Sequence, residues 1–106
     1  MATLELISLH CVRKQDVTGY DEPQLFVEGK SVYGPGRVNK GQTITLSPLT
    51  VKFNGAAEVR LMEVNPKKDK QIGPEFKVNT DQAGKTLTHE FHTSGAHYKL
   101  KYKVTT

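Results

Sequence analysis

From His97 to Val104 the chain alternates without a fault: Tyr98, Leu100, Tyr102 and Val104 fall on one side, Lys99, Lys101 and Lys103 on the other. A period of two sends successive side chains to opposite faces of a β-strand, whereas a helix would scatter the same residues around its circumference. The segment therefore reads as a strand with its tyrosines turned to a core and its lysines turned away. Such a strand needs partners beside it and a second apolar layer over it, so roughly two layers of antiparallel sheet are implied.

Glycine, proline and asparagine punctuate the rest of the chain about every 8 to 12 residues, the turn spacing of all-β sandwiches and barrels. Thr3 to Val12 reads as the first strand, with a slip in alternation between Leu6 and Ile7 that fits a bulge or a strand covered on both faces. Gln24 to Glu28 and Ser31 to Tyr33 form a hairpin about Gly29, which Pro35-Gly36 ends. Gln42 to Leu46 and Thr50 to Phe53 read as two strands with Pro48 breaking the chain between them. Asn54-Gly55 is the strongest turn dipeptide, and beyond it Ala57 to Val64 places Ala57, Val59 and Leu61 on one face and Glu58 and Arg60 on the other. Phe76 with Val78, and then Thr86 to Phe91, supply further strands before a turn at Thr93-Ser94-Gly95. The pattern predicts an all-β, antiparallel two-sheet β-sandwich of about eight or nine short strands. Its core is expected to include Leu6, Leu25, Val27, Val59, Leu61, Phe76, Leu100 and Tyr102.

With 106 residues the chain has the size of one domain, spanning 1–106. No apolar run approaches the roughly 20 residues needed to cross a bilayer, and the N-terminus lacks the basic segment, apolar core and cleavage site of a signal peptide. The expectation is a soluble, cytoplasmic protein, peripheral to a membrane where it binds one; export as a mature form or by a non-classical route stays open. Cys11 is the only cysteine, which rules out an intramolecular disulfide and reads as a buried structural thiol. Fifteen Lys and Arg against eleven Asp and Glu leave +4, an excess that favours anionic surfaces without requiring one.

The acids are concentrated. Asp16-Val17-Thr18-Gly19-Tyr20-Asp21-Glu22-Pro23 joins an acid-rich turn directly to the strand at Leu25, and acids recur from Glu63 to Asp69. Carboxylates on two loops of a rigid scaffold make a site for a hard cation or a cationic partner, because oxygen ligands suit calcium and loops carry function.

Asp16, Gly19, Glu22 and Pro23, followed by the apolar Leu25 to Val27, resemble the first loop and second strand of a C2 domain. Val59-Arg60-Leu61-Met62-Glu63-Val64-Asn65 resembles the C2 strand that runs into the third loop, and Ile72-Gly73 closes that loop as the family pattern does. The resemblance spans roughly residues 3 to 79, and the chain is also similar to small bacterial C2-like domains that stand alone or are appended to secreted hydrolases and toxins. It implies a C2-like sandwich with a degenerate calcium site at Asp16, Glu22, Glu63, Asn65 and Asp69. Departures from the family pattern bear on that site: glutamates replace two aspartates, Asn65 removes a charge, and Lys67, Lys68 and Lys70 bring positive charge within a Debye length of it. The alternative is that these acids pair with the loop lysines as solvated ion pairs.

A second constellation is basic. Lys99, Lys101 and Lys103 on one strand face lie about 7 Å apart, a row suited to phosphate-bearing surfaces; the alternative is an edge strand that lysines protect from aggregation. Nucleic acid is disfavoured as a partner, since there is no basic helix and no aromatic ladder between the lysines. His89-Glu90-Phe91-His92 invites a metal, but residues three apart on a strand point to opposite faces. No Ser-His-Asp or Cys-His arrangement can be picked out by spacing, and Gly34-Pro35-Gly36-Arg37 is a turn without the strand-to-helix setting of a phosphate loop.

These readings converge on a non-enzymatic binding module that associates with an anionic membrane surface independently of calcium, through Lys67, Lys68, Lys70, Lys99, Lys101 and Lys103. The competing readings are a protein-interaction or toxin-accessory domain with an acidic protein as partner, and a weak calcium-dependent loop site. No cofactor is expected apart from that weak calcium.

Overall fold

The alternating C-terminal segment becomes a central strand of one of two sheets. The computed structural model describes residues 1–14, 19–64, 69–93 and 95–106. Among them, nine strands follow in order: β1 (Ala2–Arg13), β2 (Pro23–Val27), β3 (Lys30–Tyr33), β4 (Thr43–Phe53), β5 (Ala56–Glu63), β6 (Lys70–Gln71), β7 (Phe76–Asn79), β8 (Thr86–His92) and β9 (His97–Thr105). A single 3₁₀ turn, Thr80–Gln82, is capped by the Asn79 side chain. One sheet has the order β4-β1-β9-β8; the other runs β3-β2-β5-β6, with β7 pairing the same flank of β5 further along. Every named pairing is antiparallel, and among the described residues no helix is long and apolar enough to cross a membrane.

Side-chain alternation decides what lies between the sheets. Leu4, Leu6, Leu9 and Cys11 of β1, Tyr98, Leu100, Tyr102 and Val104 of β9, Leu25 and Val27 of β2, and Ala57, Val59 and Leu61 of β5 form one buried cluster. Burying each large aliphatic side chain contributes about 1.5–3 kcal/mol. Of the expected core, Phe76 alone is half-buried; from β7 it stacks on His89 of the edge strand β8 in the other sheet, at 3.7 Å between ring centroids.

The slip at Ile7 is a bulge. Leu6 pairs with Tyr102 and Ser8 with the adjacent Lys101, so Ile7 has no opposite number on β9; a second irregularity skips Val12 between Cys11 and Arg13. The extra residue resets the phase, which lets both Leu6 and Leu9 face inward. On the other side of β1 the same place faces a longer detour: Leu6 pairs with Leu49 and Ser8 with Thr45. Pro48 lies in that detour, so the two strands expected on either side of it are one strand, β4. A proline has no N–H for a ladder, yet it is tolerated at bulges and on edge strands, and β4 is both bulged and an edge.

Two further differences concern connections. Asn54-Gly55 joins β4 in one sheet to β5 in the other, so this turn is a corner between layers and not the tip of a hairpin. The tip at Glu28-Gly29 is a hairpin, with both residues left-handed at φ 52° and 77° as a two-residue turn of matching twist requires. In the interior of the first sheet, Thr3 of β1 pairs with Thr105 of β9, so the first and last strands lie side by side.

Candidate functional site

The period of two that builds the core also carries two carboxylates into it. Glu63 follows Ala57, Val59 and Leu61 in phase, and Asp21 precedes Pro23, Leu25 and Val27 in phase; they are 1% and 0% exposed. Glu22, one residue out of phase, is exposed. All three lie at the end of the sandwich where the first and third loops leave the sheets.

Glu63 and Glu22 are brought together. Pro23 pairs with Glu63, the Val64 amide donates to the Glu22 carbonyl at 3.0 Å, and the Glu22 amide donates to Glu63 Oε1 at 3.1 Å. The carboxylate of Glu63 thus fastens the backbone of the first loop to the third. Asp21 is tied on two sides. Its backbone exchanges a pair of 2.9 Å hydrogen bonds with Val38, and its Oδ2 accepts from the Tyr98 hydroxyl of β9, a bond that links the two sheets. Burial, the bond to Asp21 and its charge all push the Tyr98 hydroxyl well above the usual phenol range, and burial raises the Cys11 thiol beside it. Lys14 adds a third tie, donating to the Gly19 carbonyl at 2.6 Å and to Asn39 Oδ1 at 2.9 Å.

A calcium ion takes 6 to 8 oxygens, whereas Glu63 is turned inward onto an amide and Asp21 onto a phenol. Glu22 and Asp69 are exposed, and no three His, Cys, Asp or Glu among the described residues are grouped to hold a metal ion. Asp16 and Asn65 lie outside the described residues, as do Lys67 and Lys68. Lys70 is exposed on β6, directly opposite Glu63. Asp21 is the residue that sequence reasoning passed over, although its parity with Leu25 and Val27 marks it as inward.

The basic row sits on the outer face of the other sheet. Lys99 and Lys101 are exposed and Lys103 half-exposed. Because β9 lies between β1 and β8, the lysines do not guard an edge, which removes the edge-protection reading. Their cross-strand neighbours are specific: His10 and Glu90 flank Lys99, Ser8 and Thr88 flank Lys101, Glu5 and Thr86 flank Lys103. Lysines are therefore set among hydroxyls in the middle of the face, with one glutamate towards each end. Lys70 belongs to the opposite sheet and does not join this row.

The histidines divide as strand parity requires. His89 is half-buried against Phe76, and burial lowers its pKa. His92 faces out, 4.5 Å ring to ring from His97, and His97 Nε2 lies 2.6 Å from Glu90 Oε1. That contact holds the Glu90 carboxyl below its ordinary value.

No protein-family model and no curated protein sequence matches the chain. Solved structures do. A C2 domain superposes with a TM-score of 0.57 at 11% identity, covering 99% of this chain and 97% of that one. The C2A- and C2B-domains of Extended-Synaptotagmin 2 give 0.57 at 14% identity over 98% of this chain and 39% of that one. The C2A domain of plant Extended Synaptotagmin 1 gives 0.57 at 9% identity, covering 98% and 92%. At such identities the likeness is one of fold: the chain is a C2-like β-sandwich.

Proposed function

We propose that this domain is a non-enzymatic binding module that attaches to anionic membrane surfaces without calcium, using the outer face of the β4-β1-β9-β8 sheet. The observation that carries this reading is the row Lys99, Lys101, Lys103 on a strand that needs no edge protection, spaced by the strand repeat and flanked by Ser8 and Thr88. Cations about 7 Å apart on a rigid sheet match a field of phosphates, and each contributes about 1 kcal/mol near an anionic leaflet. Calcium independence is supported by Glu63, whose carboxylate holds the Glu22 amide. Lys67, Lys68 and Lys70 would add a second basic patch at the third loop. The C2 fold of the synaptotagmin-type neighbours agrees with a membrane-binding role.

Sedimentation with phosphatidylserine-containing vesicles tests the proposal, with and without millimolar calcium and across a salt series. Wild type should sediment at low salt, lose binding as salt screens the surface, and be indifferent to calcium. The Lys99→Glu, Lys101→Glu, Lys103→Glu variant should keep its circular dichroism and lose the vesicles. Unchanged binding by that variant, or none by wild type, would leave recognition of an acidic protein as the better reading.

A further inference from the structure

Three of the four histidines share the outer face with the lysine row, all towards the loop end. His10 is directly opposite Lys99 on β1, with its Nδ1 2.6 Å from Thr43 Oγ1 of β4. His97 is opposite His92 of β8 and Arg13 of β1, and His97 reaches diagonally to Glu90. Glu90 is in turn the direct β8 neighbour of Lys99. The only charged residue of β4, Lys52, sits opposite Thr3 at the other end. With the imidazoles neutral, the rows hold Arg13, Lys99, Lys101 and Lys103 against Glu5 and Glu90, so the carboxylates offset part of the basic charge of the face.

We propose that His10, His92 and His97 make this face an acid-strengthened membrane-binding surface, in which protonation adds cations beside the lysine row and turns the contact of His97 with Glu90 into a full ion pair. This rests on the reading of the face as a membrane site and adds its regulation. Imidazole is the side chain whose ordinary titration falls between about pH 5 and 8, above the carboxylates, so mild acid adds cations while Glu90, its carboxyl lowered by the contact with His97, stays ionised. The sign follows: binding strengthens as pH falls. A cation near an anionic leaflet contributes about fivefold in affinity, so three histidines together should give on the order of tenfold to a hundredfold.

The test measures binding to phosphatidylcholine vesicles containing phosphatidylglycerol, whose phosphate stays charged, at about pH 7.5 and about pH 5.5 at constant ionic strength. Wild type should bind at least tenfold more tightly in acid. The His10→Gln, His92→Gln, His97→Gln variant should bind at both pH values as wild type does at the higher one. Glu90→Gln, a change at an exposed carboxylate, should bind more tightly than wild type at the higher pH and gain less on acidification. Equal wild-type binding at both pH values would overturn the switch and leave the membrane reading standing; absence of binding at both would overturn the two together. Retention of the full acid gain in the triple variant, or an equal gain on pure phosphatidylcholine, would also overturn it. If the triple variant fails to fold, Glu90→Gln decides: affinity at the higher pH no different from wild type refutes the proposal.

Discussion

Replacing Tyr98 by Phe removes one oxygen from a fully buried side chain and leaves the ring in place. No cavity larger than that atom is made, so the cost reports the hydrogen bonds of the hydroxyl, chiefly the one to Asp21 with the Cys11 thiol as a second partner. A bond to a charged acceptor contributes about 1.5–3 kcal/mol, and Asp21, at 0% exposure, has no bulk water to replace the donor. For a domain of this size, 1 kcal/mol moves the melting temperature by about 4–8 °C, so Tyr98→Phe should lower it by roughly 6–24 °C. Thermal and urea unfolding followed by circular dichroism would measure this, and a cycle with Asp21→Asn should give a coupling above about 0.5 kcal/mol. The pH dependence supplies an independent reading. The Tyr98 hydroxyl is held protonated by burial first and by Asp21 second, whereas the unfolded phenol ionises near about pH 10. Above that pH the folded state keeps a proton that the unfolded state has lost, so this contribution is complete below about pH 10 and declines by about 1.4 kcal/mol per unit as pH rises beyond it. Tyr98→Phe should make that alkaline decline shallower without abolishing it, because burial also raises Tyr33 and Tyr102. A loss below about 0.5 kcal/mol, with the alkaline slope unchanged, would refute the claim that this bond ties the sheets together.

Leu61→Ala, at a site 0% exposed, should cost about 2–5 kcal/mol in urea unfolding with little change in slope; a loss below about 1 kcal/mol would place Leu61 outside the core. Millimolar calcium should barely move the melting temperature, since only an occupied site stabilises, and a large rise abolished by Asp16→Asn would restore the metal reading.

How much of this was legible depended on whether local pattern or long-range pairing decided the outcome. The faces of β9, the slip at Ile7 and the hairpin about Gly29 are consequences of residue order, and the structure has them where the alternation put them. Continuity of β4 through Pro48 was not legible, because a proline breaks a central strand and is tolerated on an edge, and edge position is a property of the sheet. The same holds for Asn54-Gly55, which would turn a hairpin as readily as a corner, and for Lys70–Gln71, too short to show a period. The inward carboxylates were legible in principle. Glu63 shares the parity of Leu61 and Asp21 that of Leu25, yet their charge argued for the surface, and burial became favourable only with donors that arrive from other strands, the Glu22 amide and the Tyr98 hydroxyl.

The pairing of Thr3 with Thr105 has a consequence for how the molecule comes into being. β1 is made first and β9 last, and β9 is both its lateral neighbour and the supplier of the Tyr98, Leu100 and Tyr102 side chains packed with its leucines. At ribosomal speeds of about 5–20 residues per second, β1 waits about 5 to 20 s for that neighbour. During the wait it can pair with β4, whose stretch from Gln42 to Val51 carries no charge. The nascent ribbon therefore presents an open strand edge until β9 emerges. A chain truncated within β9 would keep that edge permanently, and the finished fold closes it with the strand that also bears the lysine row.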